Sequence, residues 1–192
     1  MHRAMLVLIP VIMVAAAGVT FLLVQGREDN RAVSGRVPVE VGGREAVDLV
    51  EQLLENGELL QSWVDDQHVY ALFTDGEQVA YPLYDEEMYV AIAPFIDVTH
   101  PCAVHYLSSC RGELAHIDVE VRVLDENDRV LHDGRVTTGA NGFFELWLPR
   151  DGVFTLSMMA EGKRVSGLLS TQPGSATCVT DMQLTDGEGS DV

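Results

Sequence analysis

The sequence predicts an α+β fold, in which a helix and a hairpin precede a β-rich, antiparallel, sandwich-like C-terminal part. Three observations predict it. Apolar residues recur at helical spacing over 44–56, an Asp-Gly pair separates two β-prone runs within 69–83, and apolar and polar residues alternate over 117–123. The 192 residues are enough for one compact domain, or for two small ones that share a core.

The first residues of the chain predict export from the cytoplasm. Residues 4–24 contain no charged side chain. At about 1.5 Å per residue, a helix of that length spans a hydrocarbon layer of about 30 Å. We therefore interpret 1–26 as a signal anchor or a cleaved signal peptide, and the length of the apolar run favours the anchor. The polar, glycine-containing stretch 27–43 predicts a flexible tether.

An N-terminal α/β part is predicted over 44–97. It begins with an amphipathic helix over 44–56, which Gly57 ends. The apolar stripe of this helix consists of Ala46, Val47, Leu49, Val50, Leu53 and Leu54. A second, short helical turn is predicted over 58–64.

Strands complete this N-terminal part. The runs 69–73 and 78–83 flank Asp75-Gly76 and predict a β-hairpin. The run 88–95 scarcely alternates, which predicts a strand that is buried on both faces.

A β-rich part is predicted over 98–184. Residues 117–123 alternate strictly and predict a sheet with one dry face. Turn residues such as Asp133-Gly134 and Asn141-Gly142 divide the later segments, which predicts short strands in a small sandwich. The further strands are expected at 129–132, 135–138, 142–148, 153–160, 163–171 and 177–184. The acidic end, 185–192, predicts a disordered tail.

The charge balance excludes one class of partner. Thirty acidic residues stand against twelve basic ones, which gives a formal net charge of −18. Such a surface repels phosphate backbones and anionic headgroups. We expect no nucleic-acid partner, and membrane contact through the N-terminal segment alone.

Residues able to bind a soft metal ion cluster between the two predicted parts. Four of them fall within eleven positions: His100, Cys102, His105 and Cys110. Thr99 is suited to capping a helix and Pro101 to its first position, which predicts one or two helical turns over 99–112. In that geometry Cys102 and His105 share a face.

The third cysteine lies far along the chain. Cys178 alternates in phase with Met182 and Leu184, which places its sulfur on the inward face of the last strand. Because export permits disulfides and three is an odd number, at least one thiol is left over within a single chain.

The residues alone leave three interpretations of this constellation open. One is a structural disulfide, Cys102–Cys110 or Cys110–Cys178, with an inert third cysteine. Another is a soft-metal site, since thiolates and imidazoles favour Cu(I) or Zn(II) over hard cations. The last is thiol redox chemistry. No catalytic triad, phosphate-binding glycine loop or paired-carboxylate motif is recognisable in the sequence, which favours a binding protein over an enzyme.

Three blocks of the sequence resemble a known family. The segment MYVAIAPFIDVTHPCAVHYLSSCRGEL, residues 88–114, is similar to the part of CueP-like periplasmic copper-resistance proteins where an aromatic-V-x-I-A-P strand leads into T-H-x-C-x-x-H and C-x-G-E-L. The blocks TTGANGFFELWLPRD (137–151) and TCVTDMQL (177–184) follow in the family's order. The resemblance extends weakly over 44–184.

The resemblance implies a role and a set of ligands. Family members bind copper in the periplasm, so copper is the implied ligand, with Cu(I) favoured by the soft donors. By motif match Cys102, Cys110 and Cys178 correspond to the family's cysteines, His105 to its nearby histidine, and His100 also fits the pattern. The implied partners are a copper-requiring extracytoplasmic enzyme such as a superoxide dismutase, or a thiol reductant. A homodimer is a further expectation.

The sequence therefore supports three functional hypotheses. The first is an extracytoplasmic protein that sequesters Cu(I) and contributes to copper resistance or delivery. The second is a thiol-dependent Cu(II) reductase that cycles through a disulfide. The third is a metal-free, disulfide-stabilised β-sandwich that binds another protein.

Overall fold

The computed structural model describes residues 41–84 and 86–187. The predicted leader 1–26, nearly all of the predicted tether and residues 188–192 of the predicted tail lie outside these residues. Within the described part the chain forms one helix and ten strands, α1 (Gly43–Glu55), β1 (Leu59–Val64), β2 (His68–Phe73), β3 (Gln78–Pro82), β4 (Glu87–Ile92), β5 (Asp118–Leu124), β6 (Val130–Thr137), β7 (Phe144–Pro149), β8 (Val153–Ala160), β9 (Lys163–Ser170) and β10 (Cys178–Val179). In residues 41–84 and 86–187, no helix has the length and apolarity needed to cross a bilayer.

The predicted helix is confirmed and shifted by one residue. Ala46, Val47 and Val50 are buried where α1 packs on the first three strands. Gly57 has a φ of 73°, and its N–H donates to the Leu54 carbonyl at 3.0 Å. A left-handed glycine at this position is a usual way to end a helix. The same turn leads the chain directly into β1.

The strands β1, β2 and β3 form an antiparallel sheet in that order, which confirms the predicted hairpin at Asp75-Gly76. The helical turn predicted over 58–64 is wrong, because this segment is β1. Its apolar spacing suits a helix, but β1 pairs with β2, and the Trp63 ring stacks on Tyr70 with centroids 4.9 Å apart. Cross-strand pairing of this kind outweighs a short helical pattern.

Strand β4 lies at the centre of the molecule. It pairs antiparallel with β7 and parallel with β10. Tyr89 and Ala91 face a first core shared with α1 and the sheet of β1, β2 and β3. Met88, Val90 and Ile92 face a second core, shared with β5, β8 and β9. The prediction of a strand buried on both faces is therefore confirmed.

The remaining strands form a four-stranded antiparallel sheet in the order β6-β5-β8-β9. Its inner face packs on the β10-β4-β7 sheet across the second core, which gives the predicted sandwich-like arrangement. The predicted turn at Asp133-Gly134 is wrong, because β6 runs unbroken through both residues. The chain turns earlier, between Asp125 and Arg129, and this places Asp133 opposite Arg122 and Gly134 opposite Val121.

The last described segment is less regular than the strand predicted over 177–184. The β10 strand covers two residues, after which Gln183 bridges to Phe95 and Thr185 to Arg164. The chain remains attached up to Asp186, whose carboxylate forms an ion pair with Lys163. This path carries Cys178 past the loop that holds the other two cysteines.

Candidate metal centre

The three cysteines meet at one place in the first core. Cys102 and Cys178 are joined by a disulfide that spans 76 positions of sequence, with their Cα atoms 5.5 Å apart. Cys110 is the free cysteine, and its Sγ lies 3.6 Å from that of Cys102. The sequence left the pairing open between Cys102–Cys110 and Cys110–Cys178, and the observed pair is neither of these.

Hydrogen bonds hold the segment around Cys178 against the cysteine loop, residues 99–112, which carries Cys102 and Cys110. The Thr177 N–H donates to the Ala103 carbonyl at 2.9 Å. The Thr180 hydroxyl donates to the His100 carbonyl at 2.7 Å. Together with the parallel pairing of Cys178 beside Ala91, these contacts fix the sulfur of Cys178 under the loop.

The loop of residues 99–112 contains no α-helix, so the helix predicted to begin at Thr99 and Pro101 is wrong, although one hydrogen-bonded turn forms from Tyr106 to Cys110. His105 lies in an isolated bridge with Val64 instead. The Val64 N–H donates to the His105 carbonyl at 2.8 Å, and the His105 N–H donates to the Thr177 hydroxyl at 3.1 Å. Because Val64 and Thr177 form hydrogen bonds with the backbone groups of His105, those groups do not take part in a helical hydrogen-bond pattern.

His105 is the most unusual side chain of the site. It is 0 % exposed, and neither of its ring nitrogens has a hydrogen-bond partner among the described residues. Its ring lies between Phe143, 4.6 Å away, and Tyr89, 6.1 Å away, measured between centroids. Burial lowers the pKa of His105 to about 4, so the imidazole is neutral near pH 7 and keeps a free lone pair. A buried polar group without a partner requires an explanation, and a bound ion is one.

The potential ligand atoms form two overlapping groups. The ring of His105 and the sulfurs of Cys110 and Cys178 lie within 4.8 Å of one another, and all three residues are buried. His100, Cys102 and Cys110 form the other group within the same limit, and His100 keeps contact with solvent. Cys110 belongs to both groups. All five residues that the sequence pointed to are therefore brought together.

The Cys110 sulfur also receives a backbone donor. The Tyr106 N–H points at Cys110 Sγ from 3.3 Å, while the Cys110 N–H donates back to the Tyr106 carbonyl at 2.9 Å. The turn from Tyr106 to Cys110 therefore holds this sulfur in place beside that of Cys102.

A protein-family model matches a part of the chain that includes every residue of this site. A family model described as periplasmic copper-binding protein CueP matches residues 45–183, which include His100, Cys102, His105, Cys110 and Cys178. The chain belongs to the CueP family. The crystal structure of S. CueP is similar to it, with a TM-score of 0.62 and 29 % sequence identity over 71 % of this chain and 89 % of that one. No curated protein sequence matches the chain significantly.

Two glycines fix the end of the cysteine loop in this CueP-family chain. The Gly112 N–H donates to the Asn141 carbonyl at 2.6 Å, and a Cβ atom added at Gly142 would lie 2.6 Å from the Gly112 carbonyl oxygen. Gly142 also has a φ of 79°. The Asn141-Gly142 turn predicted from sequence therefore serves as a docking point for the residues that follow Cys110.

Sequence reasoning missed the residues that enclose the ligands. Tyr89, Phe143 and Thr177 have no metal-binding chemistry of their own, so nothing in their residue types marks them. A signal existed in their positions, because all three lie within the blocks that resemble the CueP family. They line the site or hold His105 in place, as the contacts above show.

A cavity with acidic walls has Phe143, a ring neighbour of His105, in its lining. It has a volume of about 590 Å³, and its lining includes Glu51, Glu145 and Phe143. Burial, together with the negative charges of Glu145, Asp48 and Glu55, raises the pKa of Glu51 to about 7. Burial is also the main reason that the pKa of Glu145 is raised.

A second opening reaches the disulfide itself. A groove of about 380 Å³ is lined by Cys102 and Cys178, together with Leu168, which is 77 % exposed. The described residues that line this groove do not include Cys110. The groove therefore adjoins the disulfide and not the free cysteine.

Proposed function

We propose that this chain is an extracytoplasmic copper-binding protein, which holds Cu(I) through Cys102, Cys110, Cys178, His105 and His100 once its disulfide is reduced. The observation that carries the proposal is the neutral, fully buried imidazole of His105 beside two buried sulfurs, with no partner for either nitrogen among the residues that the structure describes. Membership of a periplasmic copper-binding family supports the choice of metal and of compartment.

The donor set favours Cu(I) over harder ions. Thiolates and neutral imidazole are soft or borderline ligands, whereas magnesium and calcium require oxygen. The buried group of His105, Cys110 and Cys178 offers one nitrogen and two sulfurs, enough for a three-coordinate site. The solvent-side group of His100 and Cys102 shares Cys110 with it and supplies a route by which the ion enters.

The proposed capacity depends on the oxidation state of the cysteines. A disulfide sulfur is a poor ligand, so the oxidised chain offers Cys110 as its single thiolate. Reduction supplies two more thiolates at the same place. Sequestration of this kind contributes to copper resistance, and release to a copper-requiring enzyme such as a superoxide dismutase would make the same site a delivery site.

A titration tests this proposal. The reduced, soluble part is titrated with Cu(I) without oxygen, against a competing Cu(I) chelator, and metal and free thiols are counted in the same sample. We expect one tightly bound Cu(I) per chain, and losses of at least about tenfold in affinity for Cys110→Ser, Cys178→Ser and His105→Gln. The exposed His116 provides the matched control, since His116→Gln should leave the affinity unchanged. Unchanged affinity in the His105 variant would contradict the proposal.

A second candidate function is reduction of Cu(II). The disulfide inside the proposed site favours it, because two thiols that bind copper side by side can give up one electron each. The balanced step is two thiols and two Cu(II) giving one disulfide, two Cu(I) and two protons. Adding Cu(II) anaerobically should then form one Cys102–Cys178 disulfide for every two Cu(I) captured by a chelator. Thiol loss without Cu(I) would exclude it.

The place of action and the partners complete the proposal. Residues 4–24 would export the chain and, if uncleaved, tether it to the outer face of the cytoplasmic membrane. The proposed partners are copper ion, a thiol reductant and a copper-requiring enzyme, and we also propose a homodimer. Fractionation of cells followed by mass measurement of the N-terminus tests the tether, and a mature protein that starts after residue 17 in the soluble periplasm would exclude it.

A further inference from the structure

The three sulfurs are arranged for exchange as well as for binding. Cys110 Sγ lies 3.6 Å from Cys102 Sγ, which is a contact distance, and Cys102 is joined by its disulfide to Cys178. A thiolate attacks a disulfide sulfur in line with the bond that breaks. Because Cys110 Sγ also lies within 4.8 Å of Cys178 Sγ, it sits beside the disulfide, and rotation of the Cys110 side chain must bring it into line. The free cysteine and the disulfide are therefore close enough to react with each other.

Two backbone contacts hold the Cys110 sulfur in place. The Tyr106 N–H is directed at Cys110 Sγ from 3.3 Å, and the Cys110 N–H donates to the Tyr106 carbonyl at 2.9 Å. These contacts keep the sulfur beside the disulfide.

Exchange would change the neighbours of the unpaired thiol. Cys110 is 8 % exposed and does not line the groove, whereas Cys178 lines the groove but is 1 % exposed and also belongs to the first core. If the disulfide moved to Cys102–Cys110, the free sulfur would become that of Cys178. The unpaired thiol would then lie beside the groove and would still be buried.

We propose that Cys110 exchanges with the Cys102–Cys178 disulfide within the folded chain. The Cys110 thiolate attacks Cys102 Sγ, a Cys102–Cys110 bond forms as the Cys102–Cys178 bond breaks, and Cys178 leaves as a thiolate that takes a proton from solvent. No electron is gained or lost. The oxidised protein consequently exists as two disulfide isomers, which differ in whether Cys110 or Cys178 carries the free thiol.

This inference does not require copper, so its failure is distinguishable from failure of the proposed function. The test uses copper-free, oxidised protein in the presence of a chelator at mildly alkaline pH. Samples are quenched in acid, which stops exchange by protonating thiolates, and are then unfolded and alkylated with N-ethylmaleimide under acidic conditions. Peptide mapping by mass spectrometry locates the label.

The expected result is label on both Cys110 and Cys178, in a ratio that returns to the same value after reduction and reoxidation. Label confined to Cys110 at every incubation time would overturn the inference. In the Cys110→Ser variant the label should be lost completely, since both remaining cysteines are paired. The Cys178→Ser variant gives a second measure, because it should oxidise to Cys102–Cys110 in the native state, and persistence of two free thiols there would overturn the inference as well.

Discussion

The imidazole of His105 lies 4.6 Å from the ring of Phe143, in a position where no protein atom bonds either of its nitrogens within the described residues. The aromatic wall removes water from the imidazole, and this is why the neutral form is favoured. A ligand that is never protonated near pH 7 is always available to a metal ion. Because burial disfavours the protonated imidazole, the folded state becomes less stable in acid.

The first prediction concerns that sensitivity. The pKa of His105 is lowered from 6.5 to about 4 in the folded state, so between these values the unfolded state binds more protons. The stabilising contribution is present above pH 6.5 and is lost as the pH falls toward 4, to a total of about 3 kcal/mol. Urea unfolding of copper-free wild type and His105→Gln across this range measures it. Since Glu51 acts in the opposite direction in both proteins, the difference between the two is the quantity to compare, and parallel pH curves would contradict the prediction.

The second prediction concerns the hydroxyl of Thr177. It donates to the Val64 carbonyl at 2.5 Å and accepts from the His105 N–H at 3.1 Å. Thr177→Val keeps the shape but leaves both buried backbone groups unpaired, so we expect a loss of about 1–3 kcal/mol in the free energy of unfolding. Weaker Cu(I) binding should accompany it, because the backbone of His105 is released. Thr155→Val on β8 is the control, and equal losses in the two variants would refute the assigned role.

The third prediction compares two glycines that share a left-handed backbone. Gly142 and Gly162 have φ values of 79° and 73°, yet a Cβ atom would meet the Gly112 carbonyl at Gly142 and nothing within 4 Å at Gly162. Gly162→Ala should cost about 1–2 kcal/mol from backbone conformation alone. Gly142→Ala should cost more, and it should also weaken copper binding by moving the end of the cysteine loop. Chemical denaturation with a parallel copper titration checks both effects, and equal costs would show that the close approach is unimportant.

The fourth prediction concerns reduction of the disulfide. Cross-linking residues 76 positions apart restricts the unfolded chain, which by loop-closure entropy is worth about 4 kcal/mol. Reduced, copper-free protein should therefore unfold at lower denaturant concentration than oxidised protein. Adding Cu(I) to the reduced form should restore stability, because a metal that bridges the same segments replaces the covalent link. Reduced samples that show no gain in midpoint with Cu(I) would contradict this expectation.

Local elements were predictable because local interactions decide them. The stripe that includes Ala46 and Val50, and the Asp75-Gly76 turn, need no information from distant parts of the chain. Segment 58–64 has an equally good local pattern for a helix, but β2 offers it a pairing partner. Asp133-Gly134 likewise looks like a turn until β5 pairs with it. In both places the non-local hydrogen bonds determine the structure.

The same division between local and non-local interactions applies to the site. The residue types of His105 and Cys110 point to soft-metal chemistry from sequence alone. Their arrangement depends on a two-residue parallel pairing of Cys178 with Ala91, and on one threonine hydroxyl between Val64 and His105. Contacts this short leave no periodic signal in a sequence. This is also the reason why the observed disulfide pairing was not among the alternatives that the sequence suggested.

The position of β4 between two cores has a consequence for how the protein comes apart. One face of the strand carries Tyr89, against the imidazole, and the other carries Met88 and Val90, against the sandwich. Unfolding of the sandwich would therefore remove Tyr89 from its contact with the imidazole, and displacement of Tyr89 would destabilise the sandwich. A bound ion would consequently protect amide protons far from itself, on strands that never touch it.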